Sequence, residues 1–201
     1  MPLPLKPARL ALGLSALALT LGGCVSFGPE IPDTLMSLSP AQAVPAGAAR
    51  TVSNRNAIAV MTPNVVQMVA TPRVPVQSGP NAVAYLKDAQ WLDAPARLFR
   101  DLLAETIEAR TGRAVPDIRM PALAPDTRLS GRLEQFGVDA PTMSAVVTYD
   151  AVLSRTGRDD VQTRRFEARV PVSAVDAKAV PPALNQAANQ VATEVADWVG
   201  R

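Results

Sequence analysis

The sequence predicts an α+β fold: a mostly antiparallel sheet with two helices packed on one face, preceded by a lipidated flexible tether. Three observations lead there. Residues 129–170 alternate apolar and polar side chains in runs separated by turn residues, as a β-meander does. Two segments, stopping near Gly112 and Val199, carry apolar residues at helical spacing. The first 50 residues begin with a basic, then apolar leader that ends at the only Cys of the chain, and Pro29, Pro32, Pro40 and Pro45 punctuate the stretch after that Cys.

In the leader, Lys6 and Arg9 precede an uncharged run from Leu10 to Leu21. That run is too short for a bilayer span, which needs about 20 residues. It ends in Leu21-Gly22-Gly23-Cys24, which resembles the lipobox of bacterial lipoproteins. The resemblance implies cleavage before Cys24, a thioether-linked diacylglyceryl group on its sulfur, and acylation of the new N-terminus, for example by palmitate. Small residues admit the peptidase, and the thiol is the nucleophile. The competing readings are a chance Cys behind an ordinary secretory signal, or a buried Cys in an uncleaved helix. Val25 follows the Cys, where an Asp would favour inner-membrane retention in enterobacterial sorting, so the outer membrane, on its periplasmic face, is expected. The chain then divides into a signal peptide at 1–23, a lipidated Cys and Pro/Ala-rich tether at 24–50, and a domain at 51–201. About 25 tether residues reach roughly 80 Å when fully extended.

Within the tether, Thr34 to Leu38 reads as a first edge strand. Ala57 to Met61 is a short apolar run stopped by Pro63 and reads as a buried strand. Residues 64–80, broken by Pro72, Pro75 and Pro80, suit an edge strand or an extended loop. Ala82 to Leu86 is the next strand. A helix follows, with Asp93 as N-cap, Pro95 in the first turn, Phe99, Leu103 and Ile107 on its core stripe, and Gly112 as its stop. Residues 116–126 read as a Pro-rich loop. Leu129, Gly131 and Leu133 share one face, whereas Phe136 and Val138 are in the opposite phase, which places a bulge near Gln135. Met143, Ala145, Val147, Tyr149, Ala151 and Leu153 alternate cleanly. After a turn at 156–160, Phe166, Ala168 and Val170 do the same. The closing helix, from about Pro182 to Val199, carries a seam of Leu184, Ala188, Val191, Val195 and Trp198, read as packing on the sheet or on a partner helix.

Composition excludes several chemistries. With 0 His there is no Ser-His-Asp site and no His-ligated zinc, and with 1 Cys there is no internal disulfide or Cys-rich metal site. No Gly-rich phosphate loop is present, and no spacing singles out a carboxylate pair. No catalytic residue, metal site or cofactor is expected. The formal charge is +2, but removing residues 1–23 deletes Lys6 and Arg9 and no acid. The mature chain is therefore neutral, with 18 basic and 18 acidic side chains, which argues against nucleic-acid binding despite a sequence pI of 9.0. Aromatics make up only 4%, so the core must rest on Ala, Val and Leu.

The stretch from Tyr85 to Ile107 stands out. Trp91 precedes the helix start, either as a hydrophobic staple or as an interface anchor. Pro80, Asn81, Tyr85, Asp88, Trp91, Asp93, Pro95, Leu98 and Leu102 resemble the region leading into the first helix of the ABC-type transport auxiliary lipoprotein family, which includes the PqiC-like proteins. The lipobox, the Pro/Ala tether and a closing Ala-rich helix ending in Trp198 fit the same family. The aromatic that precedes its first strand is missing here, where Asp33-Thr34-Leu35 stands.

The resemblance implies a non-catalytic accessory subunit of an MCE-domain protein with its ABC permease and ATPase, moving a phospholipid or sterol-like lipid between the inner and outer membranes. Tyr85, Trp91 and Trp198 are its expected partner-binding residues, the membrane is engaged through Cys24, and a homo-oligomer is allowed. The alternatives are a structural outer-membrane lipoprotein, assisting envelope assembly or activating a cell-wall synthase, and a direct lipid carrier with an internal cavity.

Overall fold

The computed structural model describes residues 34–49, 51–116 and 123–200. The signal peptide, the lipobox, Cys24 and the first part of the tether lie outside the described residues. Among the described residues, seven strands and two α-helices occur in the order β1 (Ile58–Val60), β2 (Asn64–Val65), β3 (Arg73–Gly79), β4 (Ala82–Gln90), α1 (Pro95–Thr111), β5 (Thr127–Asp139), β6 (Ser144–Arg155), β7 (Val161–Pro171) and α2 (Val180–Val199).

The strand order is β4-β3-β5-β6-β7, with β1 and β2 also pairing with β5. The long ladders, β3–β4, β5–β6 and β6–β7, are antiparallel. β1, β2 and β3 pair in turn along the other side of β5, each in short parallel register. Parallel pairing needs a crossover, and α1 supplies it between β4 and β5. The expected α+β architecture and the three-stranded meander are both present.

β5 organises the core. Its register against β6 passes from Leu133↔Tyr149 to Gln135↔Thr148, so Glu134 is an extra residue. This is the bulge expected from the phase change. Before it Leu129 and Leu133 point into the core, and after it Phe136 and Val138 do the same. An unbulged strand would put Gln135 and Gly137 there instead. Phe136 then stacks on Trp91 at 5.1 Å between ring centroids and on Phe99 at 6.0 Å, and Phe99 meets Tyr149 edge-on at 5.3 Å. This line of four rings joins β4, β5, α1 and β6. Tyr149 ends it by donating a 2.8 Å hydrogen bond to the Ser130 carbonyl, and burial pushes its phenol up. The Tyr149 ring lies over Gly131, where any Cβ would meet that ring and the Asp150 carbonyl.

Both helices cover this face. α2 buries Ala183, Leu184, Ala187, Ala188, Val191, Ala192, Val195, Ala196 and Val199, and its small side chains let it lie close to β6, β7 and α1. The seam seen in the sequence is thus sheet and helix packing within the chain. The opposite face of β5–β7 is an ion-pair ladder: Arg132–Glu134, Asp150–Arg165, Glu167–Arg169 and Arg169–Asp139.

Several local expectations change. Asp93 is not the N-cap of α1. That position falls to Ala94, while the Asp93 carboxylate accepts from the Ala94 N–H at 2.6 Å and pairs with Arg97. Gly112 does stop the helix, in the left-handed region at φ +69°. Met143 is not in β6 but in the β5–β6 turn, with φ +48°. β3 is not an edge strand, since it lies between β4 and β5. Its prolines are tolerated because pairing with β5 begins only at Val76, beyond Pro72 and Pro75, so no ladder bond toward β5 is lost. The predicted first strand is reduced to a single bridge, Met36↔Trp91.

Deleting Glu134 should leave unfolding cooperative in a thermal melt, because Leu133, Phe136 and Val138 then fall into regular alternation opposite β6 and keep the core face. Glu134→Ala at the same position should shift stability by only about 0.5 kcal/mol, as a surface truncation does.

Candidate functional site: the strap and its groove

The three aromatics singled out in the sequence do not converge. Trp91 is only 2% exposed, packed between the strap and Phe136, so its side chain offers no surface to a partner; it is a core residue. Its indole N–H has no hydrogen-bond partner among the described residues. Tyr85 is half-buried on β4, with the Arg73 guanidinium 4.2 Å above its ring. Trp198 is half-buried on α2 and packs on Phe166 of β7 at 5.6 Å. Tyr85 and Trp198 thus belong to opposite edges of the sheet.

Residues 36–44, which the sequence pattern assigns to the tether, run across the domain as a strap. The Met36 N–H donates to the Gln90 carbonyl at 2.7 Å, and the Leu92 N–H donates to the Met36 carbonyl at 2.8 Å. Met36 itself is buried beside Trp91. The strap then crosses α2. The Ser39 N–H donates to Asn185 Oδ1 at 2.9 Å, and the Ala41 N–H to Asn189 Oδ1 at 2.7 Å. Asn189 Nδ2 returns hydrogen bonds to the Ser39 and Asn185 carbonyls at 2.9 and 2.8 Å. One buried amide therefore reads both the donor and the acceptor of an extended backbone, as a neighbouring strand would. The Val44 N–H ends on Glu105 Oε1 of α1 at 2.6 Å. Beyond it Arg110 of α1 clamps Asp197 of α2 at 2.6 Å and reaches Gln42 of the strap at 3.4 Å.

Beside the strap, the outer side of α2 forms an open groove of about 550 Å³ lined by Asn185, Gln186, Asn189, Gln190, Thr193 and Glu194 together with Ser39–Ala41. Amides, hydroxyls and one carboxylate stand around it, while most of its exposed surface is apolar.

Among the described residues, no group of three or more Cys, Asp or Glu is placed to hold a metal ion. The carboxylates whose titration is displaced all move down. Hydrogen bonds from Arg165, Arg158, Arg169 and Arg97 hold Asp150, Asp160, Glu167 and Asp93 below the usual range, and backbone N–H groups do so for Asp176. No helix among the described residues is long and apolar enough to cross a membrane.

Sequence reasoning missed Asn185, Asn189 and Glu105. The only local sign was Asn189, a polar residue set among the buried alanines and valines of α2. Asn189→Ala should release the strap, removing hydrogen bonds that contribute about 1.5 kcal/mol. Hydrogen exchange at the Ser39 and Ala41 amides should then accelerate about tenfold while the β6 amides stay unchanged.

The same architecture occurs in solved structures. The chain matches a crystal structure of a Xanthomonas campestris protein of the DUF330 family at TM-score 0.68 and 22% identity, covering 83% of this chain and 94% of that one. A crystal structure of an uncharacterised protein matches at TM-score 0.63 and 15% identity, covering 83% of this chain and 99% of that one. At these identities the likeness establishes the fold alone. No curated protein matches the chain. The family described as the ABC-type transport auxiliary lipoprotein component matches residues 37–196, from the strap to the last turns of α2, and the chain belongs to that family.

Proposed function

We propose that the chain is a lipid-anchored periplasmic accessory subunit of an MCE-type ABC transport system. It would be held by Cys24 at the outer membrane and would help a phospholipid or sterol-like lipid pass between the two membranes. The observation that carries the reading is the Leu21-Gly22-Gly23-Cys24 sequence at the end of a basic and apolar leader, in a chain with no other Cys. Family membership supports the accessory role. The fold supports a docking function, because it presents paired charges, an amide-lined groove and a packed core. Of the three aromatics expected to meet a partner, Tyr85 and Trp198 keep surface for that contact.

In this reading the acyl chains supply retention. Each buried methylene contributes about 0.8 kcal/mol, and more than one chain gives a stable anchor. The domain supplies recognition, within reach of a periplasmic partner. No step of bond making or breaking is assigned to its residues.

Cys24→Ser should leave an uncleaved or soluble product on membrane fractionation; a variant that fractionates normally with the membrane contradicts the anchor. Affinity capture of the lipidated protein from solubilised envelope should recover an MCE-domain protein and an ABC permease. Recovery of a cell-wall synthase in their place would support the structural-lipoprotein alternative.

A further inference from the structure

Resting on the anchor proposed at Cys24, we infer that the β4 edge of the sheet, where the strap joins it, is a phospholipid-contacting surface. Leu35 and Leu92 enter the boundary between headgroups and acyl chains, and Tyr85, Arg73 and Lys87 lie at headgroup level.

Exposure is the first support. Five large hydrophobic side chains are exposed among the described residues, and three belong to this edge: Leu92 at 63%, Val83 at 48% and Leu35 at 37%. The pairing explains two of them. Met36 and Trp91 bridge in parallel and both turn inward, so their neighbours Leu35 and Leu92 turn outward together. Arg73 links this pair to Tyr85, since it stands opposite Gln90 in the β3–β4 ladder while its guanidinium covers the Tyr85 ring. Val83 lies two residues from Tyr85 along β4, on the same side.

The composition of the edge is that of an interfacial surface. Aliphatic side chains sit beside a tyrosine, whose ring is apolar and whose tip is polar, and beside cations that can meet phosphate. Lys87 is exposed on β4. The acids here are Asp88, exposed on β4, and Asp93, which Arg97 already holds.

Chain length selects the occupant. Thr34, where the described residues begin, beside Leu35, comes only ten positions after Cys24. The contour of that stretch is at most about 35 Å. A lipidated Cys24 therefore holds the domain within that distance of the bilayer, and the chain leading back to it departs beside Trp91 at this edge, not at the β7 edge. A patch of this size would not bind a membrane alone. A short covalent link raises the effective concentration of the surface to the order of millimolar, so weak contacts suffice.

The test uses the lipidated full chain in phosphatidylethanolamine–phosphatidylglycerol vesicles whose acyl chains are brominated. Leu92→Cys is labelled with an environment-sensitive fluorophore. Cys24 is blocked as a thioether, so the introduced thiol alone reacts. Val161→Cys on β7, at a site 57% exposed, is the control. Brominated lipid should quench the Leu92 label by about twofold or more and leave the Val161 label unchanged, and adding Leu35→Asp should weaken the Leu92 quenching. Equal quenching at both sites, or none at Leu92 while the protein floats with the vesicles, overturns the proposed surface and leaves the anchor standing. Protein that does not float with the vesicles overturns the anchor and this inference with it.

Discussion

One extra residue in β5 sets the phase of the whole core. Glu134 interrupts the two-residue alternation, so Leu129 and Leu133 on one side of it and Phe136 and Val138 on the other all face α1 and α2. Phe136 is the residue that benefits most. Its ring is the middle of the line Trp91–Phe136–Phe99–Tyr149, which ties the end of β4 to the crossover helix and the central hairpin. A chain with 4% aromatics has few rings to place, and this one gathers four of them at a single junction. The rest of the core is Ala, Val and Leu, which fill space only if the helices lie close to the sheet. The alanines of α2 permit that approach.

The strap depends on the same junction. Met36 is buried against Trp91, and Trp91 is fixed by Phe136, so the bulge ultimately determines where the N-terminal segment meets the domain. Asn189 then holds that segment by its backbone and needs no particular side chains from it. The point at which the chain before Thr34 joins the domain is thereby fixed.

Most elements were legible in the sequence because their signals are local. The bulge could be read from the conflict in phase between Leu133 and Phe136, α1 from Pro95 and Gly112, and the meander from its alternation and turn. What escaped were features set by partners distant along the chain. The strap's hydrogen bonds join residues 146 and 148 positions apart, and neither Ser39 nor Ala41 carries a side chain that announces them. The interior position of β3 was hidden because its prolines suggested an edge, and only the offset of its short pairing with β5 makes them harmless. Trp91 could be read either as a core staple or as an interface anchor, since a large aromatic beside a helix start serves both. Its contact with Phe136, 45 residues away, decides for the core.

The family assigns the chain to transport as an auxiliary component, and its proposed place in the envelope rests on one sulfur atom. Intact-mass spectrometry of the full-length gene product extracted from membranes tests that placement most directly. The expected species is a chain beginning at Cys24 and carrying a diacylglyceryl group and an N-terminal acyl chain. A chain beginning at Met1, or one with a free Cys24 thiol, would contradict it.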